Sequence, residues 1–245
     1  MPDETNNTPS LVSVHHLTVK FGSHVIVDKV SFELARRDVL AVIGPNGSGK
    51  TTLLKAILGL IPYEGEVHWH DKPRIGYVPQ RINFDRTLPI TVEELFMLRA
   101  RRGFWSSMSS AQKETASALR TVGAERVVQK RVGDLSGGEL QRVLIAYSLV
   151  GKPDVLFFDE PSAGIDIGGE ETVYNLIHRL AHETGLTVFL ISHDLDVVYR
   201  HATQVLCLNK KMICHGVPRE VLTGDVLEKL YGQLAGTYEH HHEPV

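Results

Sequence analysis

Short apolar runs separated by turn residues dominate the first eighty positions. "LVSVHHLTVKF" (11–21) and "HVIVDKVSFEL" (24–34) are rich in β-branched residues, the first with partial alternation, and are predicted as two β-strands. "DVLAVIG" (38–44) is short and nearly continuous in apolar residues, the pattern of a strand buried on both faces of a sheet. A glycine-rich stretch follows, and then a helix is predicted from about Thr51 to Leu60. "EGEVHWH" and "RIGYVPQ" add two strand candidates.

From about Arg81 to Gly151 the pattern becomes mostly helical, in "TVEELFMLRARR", "SAQKETASALRTVG" and "GGELQRVLIAYSLVG". "GFWSSMSS" is expected as a loop between the first two. Buried strands return after Pro153 as "DVLFFDE" and "TVFLISH", flanking the helix "GEETVYNLIHRLAHETG". A short helix "LDVVYRHA", a hairpin around "QVLCLNKKMICHG" and one helix over "REVLTGDVLEKLYG" complete the chain. This order predicts an α/β fold with a parallel sheet made from both ends of the chain. The expected core is 10–80 with 152–232, interrupted by a helical subdomain at 81–151. Residues 1–9 and 233–245 are expected to be flexible ends of the single domain at 10–232.

Composition narrows the classes. Of 245 residues, 42% are hydrophobic and 22% charged, which is enough for a real core. The net charge of −3 speaks against a general electrostatic grip on nucleic acid. The two cysteines, Cys207 and Cys214, give no disulfide framework, which fits a reducing compartment. The first ten residues carry no signal-peptide pattern, and the longest apolar runs are too short to span a bilayer. A membrane role would therefore need another chain.

The chemistry begins with "GPNGSGKTT" (44–52), which matches G-x-x-x-x-G-K-[ST] between a predicted strand and helix. Gly44, Gly47 and Gly49 permit tight turns, so that backbone N–H groups of Pro45-flanking Asn46, Ser48 and Thr52 can surround phosphate oxygens. In such a loop Lys50 reaches the β- and γ-phosphates and the Thr51 hydroxyl ligates Mg²⁺. "VLFFDE" carries Asp159 and Glu160 to the C-terminal end of a core strand, where ligands bind in open α/β sheets. Asp159 suits the Mg²⁺ shell and Glu160 the role of general base on a water; alone, the pair equally well ends a strand. His193 and Gln80 end two other strands, and neither residue type at such a place is distinctive by itself.

Gly44–Thr51, Gln80, "LSGGE" (135–139), "VLFFDEP" (155–161), "SAGID" ending at Asp166, and His193 occur in one order. In that order they resemble the ATP-binding cassette ATPases over about residues 11–232. The resemblance implies a P-loop NTPase core of the ABC type with an N-terminal antiparallel β-subdomain and an inserted helical subdomain. It implies ATP and Mg²⁺ as ligands, with Phe21 stacking on adenine where many members have tyrosine. It also implies a homodimer in which Ser136, Gly137, Gly138 and Glu139 of one copy serve the ATP on the other copy's P-loop. Asp166 would communicate across that interface. The three residues Ser136–Gly138 are expected to present bare N–H groups at a helix N-terminus.

"IGYVPQRINFDRTLPITVEELFMLR" and "CLNKKMICHGVPREVL" further resemble the transition-metal importers, which take up zinc, manganese or iron. That likeness implies an integral membrane permease and an extracytoplasmic metal-binding protein as partners, with this chain at the cytoplasmic face of the membrane. No nucleic acid is implied. The helical lobe would receive the permease, with Phe96, Met97, Phe104 and Trp105 as apolar candidates, although helix packing explains Phe96 and Met97 equally well. His240, His241 and His242 can hold a divalent metal loosely or belong to a tail without a role. Cys207, Cys214 and His215 are expected to be structural.

Overall fold

The computed structural model describes residues 9–80, 89–99, 108–161 and 167–232. It separates into two compact units, residues 1–71 with 189–245, and residues 72–188.

In the first unit, β1 (Ser10–Phe21), β2 (His24–Ala35) and β4 (Glu64–Trp69) form an antiparallel sheet in the order β2-β1-β4. Phe21 pairs with His24 across a two-residue turn, where Gly22 has φ 58°. Such a turn needs a residue that tolerates positive φ, and glycine does so at no steric cost. The second sheet of this unit is parallel where β3 (Val39–Ile43) meets β8 (Gln204–Asn209), and antiparallel where β8 meets β9 (Lys211–Gly216). All five residues of β3 are buried, as its unbroken apolar run predicts. Helix α1 (Lys50–Ile57) follows β3 and buries Leu53, Leu54, Ala56 and Ile57. Ala41, Ile43, Val198, Val205, Cys207, Leu222 and Leu230 form one apolar cluster. It joins β3 and β8 to helices α6 (Leu195–His201) and α8 (Gly224–Tyr231).

Two expectations in this unit are corrected. The predicted single helix over 219–232 is two, α7 (Pro218–Val221) and α8, because Leu222 leaves helical geometry at ψ 68°. The Thr223 hydroxyl then accepts from the Val226 N–H and starts a new helix. Cys207 and Cys214 are joined by a disulfide, against the expectation of none. Their antiparallel register makes them direct partners with Cα atoms 4.9 Å apart, within the range a disulfide spans. Sequence spacing alone does not reveal that register.

In the second unit, β5 (Ile75–Val78) pairs in parallel with β6 (Val155–Asp159). The helices here are α2 (Val92–Arg99), α3 (Met108–Thr121), α4 (Gly137–Leu149) and α5 (Ile167–Thr184). Strand β7 (Thr187–Ile191) begins in this unit and ends in the first. Helix α2 opens on a reciprocal cap: the Thr91 N–H donates to Glu94 Oε2 at 2.8 Å, and the Glu94 N–H donates to the Thr91 hydroxyl at 3.2 Å. Helix α3 takes up the last three residues of the expected "GFWSSMSS" loop. Phe96 is fully buried, with its ring edge-on to Tyr147 at 5.4 Å. It therefore packs α2 onto α4 instead of offering a docking surface, while Leu98 is the exposed apolar residue of α2. Met97 is half-buried, and Phe104 and Trp105 lie outside the described residues. Among the described residues no helix is long and apolar enough to cross a membrane.

Candidate active site

In the first unit the glycine-rich loop runs from the end of β3 into α1. A Cβ on Gly44 would collide with the Leu208 carbonyl oxygen, and one on Gly49 would lie 2.8 Å from the Ile26 carbonyl oxygen. These two glycines let the loop lie against β8 and β2. Gly47 has open space around it but a φ of 77°. The β8–β9 hairpin supports the same loop. The Lys210 N–H donates to the Ser48 carbonyl at 2.8 Å, and the Lys210 carbonyl accepts from the Asp28 N–H at 2.7 Å. Nothing in the sequence pointed to Lys210, whose role depends on a hairpin tip reaching a loop 160 residues earlier.

Lys50 is buried, and its Nζ donates to the Gly44 and Pro45 carbonyls at 2.8 and 3.1 Å. The ammonium is thus folded over the loop it follows. Ser48 Oγ is buried with no hydrogen-bond partner. No acidic residue sits in the first turn of α1, so the positive end of that helix is not offset locally. These features fit a polyphosphate: turned backbone N–H groups, a lysine charge and an unengaged hydroxyl. Asn46 and Gly47 are exposed, and Pro45, Thr51 and Thr52 are half-buried. Phe21 is 55% exposed, so its ring is not part of the core. His193 is exposed just beyond β7, after a buried Ser192 whose N–H donates to the Val42 carbonyl at 3.2 Å.

In the second unit β6 delivers Asp159, which is 2% exposed, and then Glu160. Glu160 has φ 49°, a left-handed conformation that costs a side-chain-bearing residue about 1–2 kcal/mol. Strain of this kind gathers where a side chain must be aimed. Gln80, just past β5, donates its Nε2–H to Glu160 Oε2 at 2.5 Å. The parallel register that pairs Val78 with Phe158 brings these two strand ends together. Burial, and then the negative charge of Asp159, push the Tyr77 phenol above its ordinary range.

The N-terminus of α4 differs from expectation. Ser136 is its N-cap in a full capping box: its hydroxyl accepts from the Glu139 N–H at 3.3 Å, and its own N–H donates to Glu139 Oε2 at 2.9 Å. Ser136 thus does not present a bare N–H. The open donors of the turn are those of Gly137 and Gly138, because the box engages only the N–H groups of Ser136 and Glu139 on either side of them. Lys130 Nζ lies 2.8 Å from Glu139 Oε1. That contact, followed by the Ser136 N–H, holds the Glu139 carboxyl below its usual range. The S-x-x-E spacing was a readable signal for this box; Lys130 was not. Asp166 lies outside the described residues, as do His240, His241 and His242.

Residues 27–163 match the family model described as ABC transporter. The zinc import ATP-binding protein ZnuC of Cereibacter sphaeroides is 42% identical over 224 residues, covering 91% of this chain and 89% of that protein. The chain belongs to the ABC transporter family, as its ATPase subunit. This ABC ATPase therefore hydrolyses ATP in the service of transport, and the resemblance seen in its motifs holds at the level of the family. In three dimensions the cassette is similar to cbiO1 of Clostridium perfringens, part of the ABC transporter complex cbiONQ. The TM-score is 0.77 at 25% identity, over 93% of this chain and 98% of that one. It is similar also to the ATP-binding cassette MJ0796, solved as a dimer in a post-hydrolysis state bound to ADP and Pi. There the TM-score is 0.74 at 25% identity, over 85% and 99% of the two chains.

Proposed function

We propose that this ABC ATPase powers import of a divalent transition-metal ion, zinc, through a separate integral membrane permease. In this reading an extracytoplasmic metal-binding protein delivers the ion. The ATPase sits at the cytoplasmic face of the membrane, held there by the permease. The cargo is supported by the 42%-identical relative named for zinc import. Manganese or iron uptake would use the same ATPase chemistry.

The observation that carries the hydrolytic part is the strained Glu160 with Gln80 on one carboxylate oxygen. The Gln80 amide orients the carboxylate, and the other oxygen accepts the proton of the attacking water. His193 holds that water and the γ-phosphate in line. Gly44–Thr52 bind the phosphates through backbone N–H groups, Lys50 turns its charge from the Gly44 and Pro45 carbonyls to the β- and γ-phosphates, and Phe21 stacks on adenine. Mg²⁺, when bound, neutralises charge on the phosphate oxygens. Thr51, Asp159 and Gln80 are the residues to hold it, all through oxygen atoms as that hard cation requires.

Two copies close head to tail in this reading, as supported by the dimeric cassette in its post-hydrolysis state. The Gly137 and Gly138 N–H groups then meet the partner's γ-phosphate, and Asp166 lies at the interface. Attraction of an anion to a helix N-terminus is worth about 0.3–2 kcal/mol and weakens once the γ-phosphate leaves. Ser136→Arg is expected to retain ATP binding by the single chain but to abolish ATP-dependent dimerisation in gel filtration. Ser136→Ala is the control: it loses the same cap, about 1 kcal/mol, without added bulk, and should still dimerise. If the arginine variant dimerises like the parent, the head-to-tail arrangement is wrong.

The cargo is tested with the complete transporter in vesicles. ATP-dependent uptake of radiolabelled zinc should exceed that of manganese. Preference for manganese would overturn the zinc assignment and leave the ATPase chemistry standing.

A further inference from the structure

The β8–β9 hairpin is closed by the Cys207–Cys214 disulfide, and its tip meets the glycine-rich loop. We propose that Cys207 and Cys214 form a reversible thiol–disulfide site, which a small dithiol opens and a small disulfide re-forms. Its state sets how tightly the glycine-rich loop binds nucleotide, on the reading that Gly44–Thr52 hold the phosphates.

The bond lies beside that loop. Cys207 is the parallel-strand partner of Ile43, and Gly44 follows Ile43 directly. The Leu208 carbonyl oxygen occupies the space where a Gly44 Cβ would stand. Beyond the disulfide the pairing shifts register, and only Leu208 with Met212 and Asn209 with Lys211 stay paired before the turn. At the tip the Lys210 N–H donates to the Ser48 carbonyl at 2.8 Å, and the Lys210 carbonyl accepts from the Asp28 N–H at 2.7 Å. Lys211 Nζ lies 3.3 Å from Asp28 Oδ2, but the lysine is exposed and such a pair adds little. So short a two-stranded tip is marginal by itself, and the cross-link limits its fraying.

The bond is reachable from one side. Cys207 is fully buried in the apolar cluster with Ile43, whereas Cys214 is half-buried at its edge. A thiolate of the reductant therefore attacks Cys214 Sγ. The S–S bond breaks, its electron pair leaves on Cys207 Sγ, and that sulfur takes up a proton. The second thiol of the reductant then attacks the mixed disulfide. That step releases Cys214 as a thiol and leaves the reductant as a cyclic disulfide. Two electrons and two protons pass from the dithiol to the hairpin, and exchange with a small disulfide removes them again. The chain has two cysteines, so each is the other's only partner within one copy. A cytosolic disulfide is usually transient, catalytic or redox-sensing, which fits an ATPase at the cytoplasmic face.

The test compares the full chain in oxidised glutathione with the full chain in dithiothreitol, with free thiols counted by mass after alkylation. A fluorescent ADP analogue with Mg²⁺ should bind about 3–10-fold more weakly to the reduced chain, as when the tip stays docked for roughly a third to a tenth of the time. Hydrogen exchange at the Lys210 N–H should quicken on reduction, while the β3 amides keep their protection. Returning the chain to oxidised glutathione should restore both. Cys214→Ala should bind like the reduced parent and respond to neither reagent, and Cys214→Ser should match it. Equal affinity or equal Lys210 exchange in the two forms would overturn the proposal. So would thiols that stay free in oxidised glutathione, or a disulfide that dithiothreitol does not open in the folded chain. Nucleotide binding absent from both forms would instead fault the phosphate-loop reading, and Lys210 exchange would still show whether the redox state reaches the loop.

Discussion

Glu160→Gln is expected to lower ATP turnover by about 10²–10⁴-fold, the range that general-base catalysis contributes. That is about 3–5 kcal/mol in activation free energy. Glutamine keeps the size of the side chain and bears the same positive φ at the end of β6. Its amide oxygen can still accept from Gln80 Nε2, now 2.5 Å from the carboxylate. The change therefore removes basicity and little else, and the unfolding temperature should stay within a few degrees of the parent. With hydrolysis slowed and ATP retained, the variant should accumulate as an ATP-bound dimer in gel filtration. Turnover near that of the parent would remove Glu160 from the role of base, whatever the dimer does.

Gly44→Ala is expected to abolish nucleotide binding and to lower stability by about 2–6 kcal/mol. The new Cβ would enter the space of the Leu208 carbonyl oxygen, at a φ of 152° that residues with side chains rarely adopt. Overpacking costs about 1–3 kcal/mol and a disfavoured backbone about 1–3 kcal/mol more. Both sides of this clash are backbone, so no side chain can swing away. Gly47→Ala isolates the second term. Nothing lies within 4 Å of its Cβ, and only the φ of 77° resists the change. It should cost about 1–2 kcal/mol. Thermal unfolding and fluorescent-nucleotide binding on both variants check the order. Equal losses would show that the packing of the loop against β8 does not matter.

The strands and helices were largely readable because their signals are local. The unbroken apolar runs of β3, β6 and β7 appear as strands with every residue buried. The single helix expected over 219–232 failed because Thr223 competes for the backbone as a cap, and periodicity does not register a cap inside a run. Phe96 was ambiguous for a related reason. An apolar residue on an amphipathic helix looks the same whether it meets its own fold or a partner, and only the Tyr147 ring across from it shows which. The glycine-rich loop, the Asp159–Glu160 pair and the signature stretch were legible as motifs, since each needs particular residue types at short, rigid spacings.

Local patterns along the chain were thus enough to read an α/β fold with a P-loop, and the resemblance of its ordered motifs to the ATP-binding cassette ATPases supplied the family and the residues in contention. Such information is carried by neighbours within a few positions, where strand and helix geometry is already determined. Tertiary structure was needed for everything that depends on the register between strands or on contact between segments. It joined Cys207 to Cys214, set the Lys210 hairpin under Ser48, and brought Gln80 to Glu160. The Ser136 cap was readable from the S-x-x-E spacing, and only the fold brought Lys130 to Glu139. A disulfide across a hairpin or a hydrogen bond between distant segments depends on ångström-scale alignment, which strand register and packing impose and spacing along the chain does not encode.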